Sequence, residues 1–108
     1  MITFDDFKKV EMKIGEILSA ERVEGSEKLL RLSVNFAEEV PRQVISGIGK
    51  YFPELSLLVG KRYAFVTNLE PRSIMGFESQ AMIVAASTDE AIAFFDVPES
   101  IPPGTLLK

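Results

Sequence analysis

The 108 residues predict an all-β domain closed into a small barrel. Three observations carry that prediction. Leu30, Leu32, Val34 and Phe36 alternate without a break with Arg31, Ser33 and Asn35, the period-two signature of a strand buried on one face. Glycine and proline turn signals separate further short apolar runs along the chain. Gly15 interrupts a strand-like run, as a bulge or the tight bend of a coiled barrel strand requires. A β-sandwich is the alternative, but sandwiches usually need about seven evenly spaced strands, and five or six are legible here.

The elements follow in order. Thr3 is the expected N-cap of a short helix over Phe4-Asp5-Asp6-Phe7, with Asp6 three residues on and two acids in the first turn. Phe4 and Phe7 share a face of that turn and are expected to plug an apolar surface. Val10 to Ala20 reads as a strand, with its phase blurred at Ile17 and Leu18. Glu21 to Glu27 is a polar loop turning at Gly25-Ser26. Leu30 to Phe36 is the clearest strand, Ala37 to Pro41 a short hairpin-like connection, and Arg42 to Ser46 a third strand. Ser46-Gly47-Ile48-Gly49 breaks it, leaving room for one helical turn before Pro53. Arg62 to Thr67 is β-rich, Asn68 to Gly76 a structured loop, and Gln80–Ala86 and Ala91–Val97 two further strands. The tail from Pro98 holds Pro102, Pro103 and Gly104 and cannot form a long regular element. Among barrels of this size the OB-fold is the natural candidate. One domain spans residues 1–108, with no linker and no repeat.

Composition removes much chemistry. The chain has neither Cys nor His, which excludes disulfides, thiolate sites, imidazole general bases and the Ser-His-Asp triad. No run approaches the ~20 apolar residues of a membrane helix, and no charged-then-apolar leader opens the chain. The net charge of −4 argues against a polyanionic partner, but its distribution does not. Residues 1–41 carry −3, residues 42–72 carry +3, and residues 73–107 carry −5 with no base at all. In the basic stretch, Arg42, Lys50, Lys61 and Arg62 interleave with Tyr51, Phe52 and Tyr63, a mixture suited to phosphate contact and base stacking. The plain alternative puts Phe52, Tyr63 and Phe65 in the core. Asp5-Asp6, Glu38-Glu39 and Asp89-Glu90 sit at turns or a helix start, where acids cap or solvate. Ser46 lacks the glycine two residues before it that a nucleophile elbow needs, Val44 standing there. Gly47 and Gly49 are not followed by a third glycine at the dinucleotide spacing; Phe52 occupies it.

Seven segments together resemble one family. They are Asp6-Phe7-Lys8-Lys9-Val10, Met12-Lys13-Ile14-Gly15-Glu16-Ile17, Ser26-Glu27-Lys28-Leu29-Leu30, Arg42-Gln43-Val44-Ile45-Ser46-Gly47-Ile48, Leu58-Val59-Gly60-Lys61, Asn68-Leu69-Glu70-Pro71-Arg72-Ser73-Ile74-Met75-Gly76 and Ser79-Gln80-Ala81-Met82-Ile83. In order and spacing, from about Phe4 to Lys108, the chain is similar to the tRNA-binding domain family. That family includes stand-alone dimeric tRNA-binding proteins, the C-terminal domain of many methionyl-tRNA synthetases, cytokine-like domains and small export-related chaperones.

The resemblance implies a five-stranded OB-fold barrel with a short N-terminal helix, a short inter-strand helix and a C-terminal extension that supports a homodimer. It implies a non-catalytic, cytoplasmic module without cofactor or metal, binding tRNA by shape and backbone, alone or beside a methionyl-tRNA synthetase. A start at Met1 favours the free-standing form. The runner-up is an export-related, chaperone-like dimer that binds peptide in an apolar groove; a hydrolase is a poor third. Carried over residue by residue, the expected tRNA contacts are Lys28, Arg42, Ser46, Lys50, Asn68, Arg72, Ser79 and Met82. Gln43 also matches and has a structural alternative, and Met82 suits barrel core or groove wall. The chain departs from the family at Val23-Glu24-Gly25-Ser26, where relatives often carry His-Pro, at Glu70, where lysine is frequent, and at Ala81, where glycine is usual.

Overall fold

The computed structural model describes every residue from Met1 to Lys108. A four-residue helix α1 (Phe4–Phe7) precedes nine strands: β1 (Met12–Arg22), β2 (Leu30–Asn35), β3 (Arg42–Ser46), β4 (Arg62–Val66), β5 (Arg72–Ile74), β6 (Phe77–Ser79), β7 (Met82–Ile83), β8 (Ala85–Ser87) and β9 (Ile92–Phe94). Five of them form one antiparallel sheet in the order β3-β2-β1-β4-β7, curled into a nearly closed, OB-like barrel. β5–β6 and β8–β9 are separate two-stranded ribbons.

The alternation read in β2 is the alternation observed. Leu30, Leu32 and Val34 are buried, and between them Arg31, Ser33 and Asn35 reach partway to solvent. With Ile17, Val44, Leu58 and Phe65 they fill the barrel, each buried aliphatic side chain contributing roughly 1.5–3 kcal/mol. Phe36 meets Phe65 edge to face at 5.3 Å. β1 serves two neighbours. Its first half pairs with β4 from Met12↔Val66 to Glu16↔Arg62, its second with β2 from Glu16↔Asn35 to Arg22↔Leu30. The irregularity between these halves lies between Ile17 and Ser19, which turns Leu18 outward. Gly15, where a bulge or bend was expected, instead allows close packing. A Cβ there would stand 2.5 Å from Val34 Cγ1 and 2.6 Å from Phe36 Cε1.

Side chains complete the barrel where the ladder stops. Gln43 N–H donates to Gln80 Oε1 at 2.8 Å, Gln80 N–H to the Gln43 carbonyl at 2.8 Å, and Gln43 Nε2 to the Glu78 carbonyl at 2.9 Å. Ile45 N–H donates to Ser79 Oγ at 3.0 Å. The outer edge of β3 is thus stitched to residues 78–80, and Gln43 takes the structural alternative.

Several expectations change. Residues 68–76 are not only a loop, since they contain β5 and the turn that pairs it with β6 in a hairpin. Its two-residue turn sets Met75 and Gly76 at φ 50° and 83°, the left-handed pair that a tight hairpin needs. The short inter-strand helix is reduced to two single 3₁₀ turns, Gly49–Tyr51 and Leu55–Leu57, because Pro53 between them has no N–H to continue a helix. The strand expected over Gln80–Ala86 divides into β7, which joins the barrel sheet, and β8, and the one expected over Ala91–Val97 shortens to β9. β8 and β9 pair only with each other and lie against the barrel, Phe94 stacking on Tyr63 at 4.6 Å and on Phe52 at 5.6 Å. The Thr3 capping box forms as expected, but Phe4 and Phe7 plug nothing within the chain and stand 75% and 47% exposed. The tail runs beside the start of β1: Gly104 N–H donates to the Ile14 carbonyl at 2.7 Å and Leu107 N–H to the Met12 carbonyl at 2.9 Å.

Candidate nucleic-acid interface

Two lysines are brought together by backbone. The loop over residues 23–29 and the turn after β3 touch where Gly49 N–H donates to the Lys28 carbonyl at 2.7 Å. Only glycine permits that approach, since a Cβ at position 49 would lie 2.8 Å from the same oxygen. Arg22 fastens the turn from beneath, donating to the Gly49 carbonyl at 3.2 Å and to the Phe52 carbonyl at 2.6 Å. Lys28 and Lys50 therefore project from neighbouring, mutually fixed backbone, both exposed and neither in an ion pair. A small second core of Val23, Leu29 and Ile45, with Ile74 and Phe77 packed on it, ties the same loop to the β5–β6 hairpin.

Beside this cluster lies a cavity of about 140 Å³ between the end of β3, β7 and residues 69–74. Ser46, Arg72, Ser79 and Met82 all line it, so half of the expected contacts share one site. Arg72 faces Ser79 in the β5–β6 ladder, and Ser46 faces Leu30 in the β2–β3 ladder, two residues along from Lys28. Met82 is 51% exposed, which decides for groove wall over core. Ser79 is buried, and its hydroxyl accepts from Ile45 N–H and donates to the Ala81 carbonyl at 3.2 Å.

Two further expected contacts are turned to other uses. Arg42 spends its guanidinium on Glu38, at 2.8 Å to each carboxylate oxygen, and on the Thr67 and Gln80 carbonyls at 2.7 and 3.1 Å. It also lies 5.4 Å from the centre of the Phe36 ring. Its hydrogen bonds hold the Glu38 carboxyl below the ordinary carboxylate range, partly offset by burial, and Glu38 in turn raises the Arg42 pKa. Asn68 accepts from Glu11 N–H at 2.8 Å and donates to the Lys9 carbonyl at 2.6 Å, pinning the entry to β1. In sequence these residues look like Arg72 and Ser46. Apart from Glu38, four residues from Arg42, their partners are 25 to 59 residues away, and no local signal reveals those. Sequence reasoning also missed Arg22 and Gln80 as fasteners. Nor did it place Leu69, Glu70 and Ile74 on the cavity wall.

The arrangement defines an OB-like barrel with cations fixed on its loops around an apolar-walled cavity, a class suited to binding an anionic polymer. The chain belongs to the tRNA-binding domain family: residues 12–106 match the family described as "Putative tRNA binding domain". It is similar to the methionine–tRNA ligase of Lactococcus lactis, 43% identical over 107 residues, which cover 98% of this chain and 16% of the ligase. The chain thus spans about a sixth of the length of the curated relatives it matches. Among solved structures, the MetRS related protein of Pyrococcus horikoshii superposes with a TM-score of 0.91 at 35% identity, covering 100% of this chain and 98% of that one. The chaperone CsaA of Bacillus anthracis superposes with a TM-score of 0.84 at 25% identity, covering 100% and 99%. No helix is long and apolar enough to cross a membrane.

Proposed function

We propose that residues 1–108 form one non-catalytic module that binds folded tRNA as a homodimer in the cytoplasm, alone or in support of a methionyl-tRNA synthetase. The observation that carries the reading is the fixed pairing of Lys28 with Lys50 beside the cavity that Arg72 lines, three cations without carboxylate partners. Phosphates supply most of the affinity of such a surface, and 2′-hydroxyls suit Ser46. Arg42, Asn68 and Ser79 act in this reading by holding the contact surface in shape, and Met82 by lining it. The relatives that are ligases support the link to a synthetase.

The homodimer finds support where the first and last residues of the sequence meet. Phe4, Phe7, Val10, Leu106 and Leu107 line one open groove and are all 38% exposed or more, an apolar surface of the kind that marks an interface. Pairing two modules doubles the cationic footprint.

A second reading, an export-related chaperone-like dimer that captures extended peptide in the apolar-walled barrel groove lined by Met82, is favoured by the likeness to CsaA. A gel-shift titration of the intact chain with several unrelated tRNAs at low salt, beside capture of an unfolded polypeptide, separates the two. Retardation of every tRNA supports the first. Polypeptide capture without tRNA retardation selects the second.

A further inference from the structure

Glu70 is out of place on a phosphate-binding surface. It lines the cavity together with Arg72, yet neither forms an ion pair, and no hydrogen bond engages the Glu70 carboxylate. The remaining wall is mostly apolar, with Leu69, Ile74 and Met82 around the opening. A carboxylate that only faced backbone phosphate would weaken binding. It strengthens binding where it meets a row of N–H donors.

We infer that this cavity receives one unstacked guanine base of the bound RNA, with Glu70 accepting from its Watson–Crick edge. The inference rests on the tRNA-binding reading above. Its volume of about 140 Å³ suits a single ring system and excludes a helix. Leu69, Ile74 and Met82 supply apolar surface for the faces of the ring, much as stacking platforms do for single-stranded bases. The choice of guanine follows from the edges. Guanine presents N1–H and the N2 amino group side by side, two donors matching the two oxygens of one carboxylate. Adenine and cytosine place a ring-nitrogen acceptor beside their amino group, and uracil flanks its single N–H with carbonyls, so each sets a lone pair against the carboxylate. Arg72, at the same opening, neutralises the phosphate of the extruded nucleotide.

The probe is a short oligouridylate carrying one internal guanosine, inosine or adenosine, with binding read by fluorescence anisotropy at about 50 mM salt. The guanosine oligomer binds roughly ten-fold more tightly than the adenosine one, the discrimination expected of one bidentate base contact. Inosine, which lacks the N2 amino group, loses most of that gain. E70A removes the preference and leaves plain oligouridylate affinity the same or higher. The side chain is exposed and unbonded, so the variant keeps the fold. Equal affinity for the guanosine and adenosine oligomers, or a preference that survives in E70A, overturns the inference while tRNA retardation keeps the wider reading intact. Failure to bind any RNA, tRNA included, overturns both.

Discussion

Arg42 donates to four oxygens across the seam of the barrel, and its charge is partnered by Glu38 within the chain. Arg72 donates to none and stands free at the cavity. The same residue type thus serves closure in one place and, in the proposed reading, ligand binding in the other, and substitutions separate the roles. R42M strands the Thr67 and Gln80 carbonyls and leaves Glu38 without its partner. It is expected to destabilise the fold by about 2–4 kcal/mol in urea unfolding, whereas R72A leaves the unfolding midpoint unchanged. The Glu38–Arg42 pair also carries a pH signature. Because Arg42 lowers the folded Glu38 pKa, the pair stabilises the fold above the ordinary carboxylate range, and that stabilisation fades as pH falls through the lowered value. Unfolding midpoints followed from neutrality to about pH 3 are expected to drop more steeply in the native protein than in E38Q.

At the scale of elements, contact between the 23–29 loop and the turn at Gly49 decides where the lysines point. G49A adds a single methyl, aimed at the Lys28 carbonyl. We expect it to cost roughly 1–3 kcal/mol of stability and to weaken tRNA binding without altering any charge. A gel shift at matched folded fraction shows whether displaced lysines, not lost cations, cause the weakening. The same scale explains what could be read from sequence. β2 was legible because its buried face alternates over six residues, whereas β3 buries the adjacent Val44 and Ile45 in the two cores and was marked by its apolar run and the glycines after it. β5 and β6 have three residues each and a Met-Gly turn instead of Asn-Gly, too little for a period to register. Seam-closing residues were invisible for another reason. Gln43, Gln80, Ser79 and Arg42 take partners that only the closed barrel brings near. Four residues that line the candidate cavity were therefore named from sequence, but which of the named residues close the barrel was not.

The whole molecule presents two unlike surfaces. One gathers free cations round a cavity. The other exposes Phe4, Phe7 and Leu106 beside a tail laid along β1. With that apolar surface as the proposed dimer face, F4D/F7D is expected to yield a monomer by multi-angle light scattering at micromolar concentration. It then weakens tRNA binding by the factor that linkage of two sites supplies. A dimer that persists in this variant moves the interface elsewhere. The net charge of −4 says little about binding, because residues 73–107 carry five acids and no base while Lys28, Lys50 and Arg72 stand on backbone fixed in space.

The central claim is that Lys28, Lys50 and Arg72 bind tRNA through phosphate. The most direct test is the salt dependence of tRNA affinity for the native chain and for K28A/K50A/R72A, measured between about 50 and 200 mM salt. The native chain is expected to lose affinity steeply over that range. The triple variant is expected to unfold at the same denaturant concentration, to bind at least ten-fold more weakly at low salt, and to show a log–log slope shallower by about two to three per subunit. A triple variant that binds with the native affinity and the native slope would contradict the account.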